Sequence, residues 1–129
     1  NNGTTWGGLE DYTRTLVNSG NEVYIIAGPN GQGGTSDKGT FNTVNANVVV
    51  PAFTWKVVVV LSNGNDDINR ITNSTRVIAV KMPNSQSIGS DWKSYRVSVD
   101  ELETLTGYDF LTSVPVGIQN VIEATVDNL

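Results

Sequence analysis

Apolar and polar positions alternate along this chain in two rhythms. From about Thr5 to Asn18, Trp6, Leu9, Leu16 and Val17 recur at helical spacing with Thr13 on the same side, which predicts a helix burying one face. Gly7 and Gly8 weaken its first turns by roughly 1 kcal/mol each relative to Ala. That start needs tertiary support, or a neighbour that demands small residues. Ser19-Gly20 then supplies a left-handed stop.

After Gly20 the rhythm shortens. Glu22 to Gly28, "EVYIIAG", reads as a β-branched strand running into the glycine-rich stretch "PNGQGGTSDKGT". A phosphate cradle there would need a Gly-Lys-Ser/Thr ending, so a flexible hairpin or crossover connection is the better reading. Ala46 to Leu61 holds two strand segments around Pro51, a residue suited to an edge or bend. Val57 to Val60 lacks alternation, predicting a strand covered on both faces. Thr75 to Pro83 is a further strand, expected to pair antiparallel with it. Between them, Asp66 and Asp67 fit no Ca²⁺-loop spacing and read as a solvated turn. "SVDELETLTG" is a helix opening at Ser98 or Asp100 and closed by Gly107, and a shorter helix follows Pro115. Helix, strands, then helices predict an α+β domain with an antiparallel-rich sheet.

Composition narrows the chemistry. At 129 residues the chain suits one domain, and no apolar run approaches a membrane span. The net charge of −5 argues against a broad basic face that grips nucleic acid. There is no Cys and no His, which removes thiolate metal sites and the commonest general base. Any hydrolytic chemistry must use other groups or a base from outside this chain. The only Met is Met82, so the first residue is expected to arise by processing.

Candidate chemistry gathers at the opening helix. If helical winding begins early, Glu10 lies about 80° around from Asn2, and Arg14 about 40° further. All three then share about a third of the circumference beside the apolar stripe. The bland account is a solvated i,i+4 pair of Glu10 and Arg14 worth roughly 0.2–0.5 kcal/mol. Spacing alone favours it. Lys56, Lys81, Lys93 and Arg96 read as solvated rims, and Trp55, Trp92, Tyr95 and Tyr108 as packing residues.

The residues themselves are more telling. "NGTTWGGLEDYTR", with Asn2, Trp6, Leu9, Glu10 and Arg14 in place, resembles the metal-site helix of the DNA/RNA non-specific endonucleases. This family includes endonuclease G and the secreted sugar-non-specific nucleases of bacteria. "EVYIIAGP", "VPAFTWKVVVVL", "TRVIAVKMPN", "YRVSVDELETLTGYDFL" and "VPVGIQNVIE" resemble its successive blocks in order.

The resemblance implies a ββα-metal (His-Me finger) fold and Mg²⁺-dependent hydrolysis of DNA and RNA phosphodiesters, with Mn²⁺ as the substitute ion. Asn2 takes the place of the single protein ligand to the metal. Glu10 takes the place of the acid holding a metal-bound water, and Arg14 that of the arginine steadying the phosphate. The family's general base is a His in an Asp-Arg-Gly-His motif on strands before this helix, and this sequence carries neither. The expectation is therefore the C-terminal portion of one nuclease domain, residues 1–129, inactive alone, with the His on an N-terminal portion or companion chain. A protein inhibitor and a secreted or periplasmic bacterial location belong to the same expectation. The alternative is a noncatalytic β-rich extracellular module of carbohydrate-binding type, suggested by the polar acidic surface and the aromatics.

Overall fold

In a computed structural model of the chain, the described residues are 2–45 and 47–129, with Asn2 described by its backbone alone. A π-helical opening turn, Asn2–Trp6, runs directly into α1, Gly7–Asn18, so helical winding starts earlier than the Thr5 expected. Gly8 faces Trp92, whose Cδ1 lies 3.4 Å from where a Cβ would stand. A Cβ there would make ordinary van der Waals contact with the indole, so Trp92 leaves room for a methyl group and for little more.

Four strands form the central antiparallel sheet in the order β1-β6-β7-β8. They are β1, Asn21–Asn30; β6, Phe53–Ser62; β7, Arg76–Pro83; and β8, Arg96–Val97. The expected pairing of the Val57–Val60 run with the Thr75–Pro83 segment holds, with Val58 opposite Ile78 and Val59 opposite Val77. On the other side of β6, Ile25 faces Val58 and Ala27 faces Lys56. β1 is therefore an edge strand. Tyr24, Ile25 and Ile26 remain close to half exposed along it.

The glycine-rich stretch takes the hairpin alternative of the two connections expected for it. It folds into the hairpin β2, Gly34–Ser36, and β3, Gly39–Phe41, followed by β4, Thr43–Val44, paired with β5, Val48–Val49. Backbone bonds from Gly33 N to Val50 O at 2.8 Å and Thr35 N to Asn84 O at 2.9 Å tie it down. At Gly34 a Cβ would stand 2.7 Å from Asn84 Nδ2, so packing requires the glycine.

The sheet separates two cores, as the unbroken valine run demands. Leu9 of α1 packs with Val58, Ile78, Val80, Met82 and Trp92 on one face. On the other face Val57, Val59, Val77 and Ala79 meet α3, Val99–Thr106, and α4, Val116–Ile122, through Leu102, Phe110 and Ile122. Ser98 caps α3, its side chain accepting from Glu101 N, and Gly107 closes it in the left-handed region. Between β6 and β7, the short α2, Asp67–Arg70, replaces the plain turn expected at Asp66-Asp67. Asp67 there is bound to Arg70 at 2.5 Å and to Tyr24, as a structural turn requires.

The C-terminal segment is latched to β7. Asp127 accepts from Arg76 at 2.6 and 2.9 Å, and Arg76 also reaches the Tyr12 hydroxyl of α1 at 2.8 Å. Among the described residues no helix is long and apolar enough to cross a membrane.

Candidate active site

The opening helix lies over the sheet so that one edge of it, with β1 and β6, walls an open groove of about 610 Å³. Glu10 and Arg14 both line it, as helical spacing predicts. So do Val23, Ile25 and Ala27 of β1, whose side chains share the α1 face of the sheet. Val17 also opens onto this groove and is about half exposed, where the apolar stripe predicts burial. Leu9 and Thr13 carry the buried face instead, with the Thr13 hydroxyl donating to Leu9 O at 2.7 Å.

The bland i,i+4 pair does not form. Arg14 pairs with Asp11 one turn earlier, and its side chain is 68% exposed. Glu10 instead turns toward the sheet. Its Oε1 accepts the indole N–H of Trp6 at 2.9 Å and lies 3.6 Å from the ammonium of Lys56. The same ammonium stands 4.0 Å from the centre of the Trp6 ring. Burial pushes the Lys56 pKa below that of an ordinary lysine, and the neighbouring Glu10 pulls partly against this.

Lys56 is the site residue that sequence reasoning missed. It was expected on a solvated rim, yet it is only 5% exposed. The available signal was its position directly before a strand covered on both faces. The side chain of Asn2, the expected metal ligand, lies outside the described residues.

Lys81, also expected at a rim, pairs with Glu101 at 2.5 Å on the opposite face of the sheet. Trp55 and Trp92 are buried in the two cores, which removes them as exposed stacking platforms. Trp55 lies so close to Gly28 that a Cβ there would meet its ring at 2.7 Å.

Glu10, held by Trp6 and Lys56, and the exposed Arg14 thus line one groove. The model of the DNA/RNA non-specific endonucleases matches residues 1–117.

The chain belongs to the DNA/RNA non-specific endonuclease family.

Two relatives illustrate its range. A nuclease of Nostoc sp. (strain PCC 7120 / SAG 25.82 / UTEX 2576) is 54% identical over 128 residues, covering 99% of this chain and 44% of that protein. The mitochondrial nuclease EXOG of Xenopus laevis is 28% identical over 117 residues, covering 85% and 31% respectively. The chain thus spans less than half the length of these curated relatives. In fold it is similar to EndoG in the crystal structure of the EndoG/EndoGI complex, with a TM-score of 0.61. That match has 23% identity and covers 87% of this chain and 45% of EndoG. The ββα-metal endonuclease fold expected from the resemblance is the one this chain adopts.

A second acidic group lies apart from the groove. Asp100 and Glu103 of α3 and Glu123, at the end of α4, bring carboxylate oxygens within 4.8 Å of one another. Glu123 is 6% exposed, and its buried Oε1 accepts no hydrogen bond among the described residues. Burial, then the charges of Glu103, Asp100 and Asp109, raise its pKa to about 7. Because α3 and α4 pack on the face opposite α1, these acids are separated from Glu10 by the sheet.

Proposed function

We propose that this chain carries the metal-site part of a Mg²⁺-dependent endonuclease that hydrolyses phosphodiester bonds of DNA and RNA. The observation that carries the reading is Glu10, held by Trp6 and Lys56 at the wall of a groove that Arg14 also lines. It stands at the position of the family's water-holding acid.

The donor chemistry fits Mg²⁺ or Mn²⁺. Glu10 offers carboxylate oxygen and Asn2 amide oxygen, and the chain has no thiolate or imidazole to favour a softer ion. Asn2 would hold the ion directly and Glu10 would hold one of its waters. When bound, the ion supplies Lewis-acid stabilisation of the departing 3′ oxygen. Arg14, 68% exposed and paired with the similarly exposed Asp11, would donate to the phosphate as charge builds on it. The cation also lets a chain of net charge −5 meet a polyanion.

Water activation needs a base that this chain does not contain. We assign it to a His on the remainder of the nuclease domain, whether joined covalently or present as a companion chain. The edge strand β1 supports this, because it offers an unpaired row of backbone groups and half-exposed apolar side chains to a neighbouring strand. An inhibitor protein covering the groove, and a secreted or periplasmic setting, are parts of the same proposal. The carbohydrate-binding alternative loses two of its aromatics, since Trp55 and Trp92 are core residues, and keeps Tyr108, which is 61% exposed.

A plasmid-nicking assay on the intact nuclease tests the reading. Nicking that stops with EDTA and returns with Mg²⁺ is expected, and nicking indifferent to EDTA would overturn it. In the same enzyme Arg14→Ala is expected to lower kcat by about 10–100-fold while KM changes by a few-fold at most. Steady-state rates on a defined oligonucleotide check that split.

A further inference from the structure

Lys56 is costly where it stands. A buried ammonium loses hydration worth several kcal/mol, and a buried ion pair is often matched or bettered by apolar residues of similar volume. Its neighbours along β6 on the same face, Val58 and Val60, show what ordinary packing uses there. A position serving stability alone would be filled by a Met or Leu.

The geometry shows what the charge does instead. One oxygen of Glu10 receives the Trp6 indole N–H at 2.9 Å and faces the Lys56 ammonium at 3.6 Å. Trp6 is itself held over that ammonium, 4.0 Å from its ring centre. The three side chains form a closed triangle, and each fixes the other two. Glu10 and Trp6 sit one turn apart on the helix, whereas Lys56 comes from the middle strand of the sheet. Lys56 therefore fastens the orientation of the helix carboxylate to the rigid part of the fold. Thr54, the next β6 residue on this face, does not take part in the triangle.

We propose that Lys56 is a positioning residue for the Glu10 carboxylate, fixing it for its work in the groove through a charge contact and a shared Trp6 ring. This rests on the nuclease reading given above. Lys56 touches neither substrate nor metal in this account; it acts through Glu10. Partners of oriented ligands typically change activity 10–100-fold when removed.

The test is Lys56→Met in the intact nuclease, measured beside Glu10→Gln. Lys56→Met is expected to lower kcat 10–100-fold, leave KM for DNA within about 2-fold, and leave Tm equal to or above that of the wild type. A merely structural lysine would lower activity only in step with Tm. Trp6→Phe, which keeps the ring but deletes the N–H, is expected to give a smaller loss. The two losses should not multiply in the double variant, because both act on one carboxylate. If Lys56→Met cleaves at the wild-type rate while Glu10→Gln does not, the positioning role is wrong and the nuclease reading stands. If Glu10→Gln also cleaves normally, the assignment of the site itself falls.

Discussion

Asn2→Ala in the intact nuclease is expected to lower plasmid cleavage by on the order of 10³-fold. If one amide oxygen is the sole protein ligand to a Mg²⁺ that otherwise keeps its waters, no neighbouring ligand can compensate for its removal. An ion held there would supply several kcal/mol of charge stabilisation at the phosphate, and each 1.36 kcal/mol is tenfold in rate. Raising Mg²⁺ should recover part of the rate, since the lost term is metal affinity. Cleavage by Asn2→Ala at the wild-type rate across a Mg²⁺ titration would show that the ligand lies elsewhere. The fold should be indifferent to the change, so circular dichroism and Tm serve as the control.

The second large effect concerns stability. Glu123→Gln is expected to stabilise the protein by roughly 3 kcal/mol at pH 8 in EDTA, and to have little effect near pH 4. Glu123 has its pKa raised to about 7 from the 4.5 of an unhindered glutamate. The folded state therefore binds more protons than the unfolded state between those values. Stability falls as pH rises through that window and stays low above it, because a charge must then sit buried near Glu103, Asp100 and Asp109. The amide of Gln carries no charge and can donate to the two nearest carboxylates of α3. Urea unfolding at pH 4, 6 and 8 measures the slope. A wild-type profile flat from pH 5 to 8, or a Gln variant no more stable at pH 8, would contradict the account.

Much of the architecture was legible because it follows from short-range periodicity. The valine run of β6, its antiparallel partner β7, and the capped helix α3 announce themselves in local pattern and turn chemistry. The glycine-rich stretch reads as a hairpin or a crossover, and what orders it is not local. Its hairpin strands are three residues long and are ordered by bonds to Val50 and Asn84, which no local signal reports. Val17 was misplaced because the helix meets the sheet over a narrower stripe than its apolar residues span, leaving one of them on the groove.

The site was half legible. Glu10 and Arg14 share a groove because helical spacing dictates it, whereas their partners are set by other elements. Lys56 reaches Glu10 through the register of a strand some 46 positions later in the chain, so only the folded sheet shows it. Glu123 meets Asp100 and Glu103 through the docking of α4 on α3, where Asp100 N donates to Glu123 O at 3.1 Å.

Successive residues of β6 point to opposite sides, and this makes the strand a partition with practical consequences. Trp55 and Lys56 are neighbours in sequence but belong to different compartments, one the apolar α3–α4 core and the other the groove that α1 walls. Deleting Thr54, with the rest of β6 slipping by one position, would exchange them, driving an ammonium into the α3–α4 layer and an indole toward the groove. Conversely, the Glu123 side of the wall can be reworked for stability without touching the groove that Glu10, Arg14 and Lys56 line on the other side.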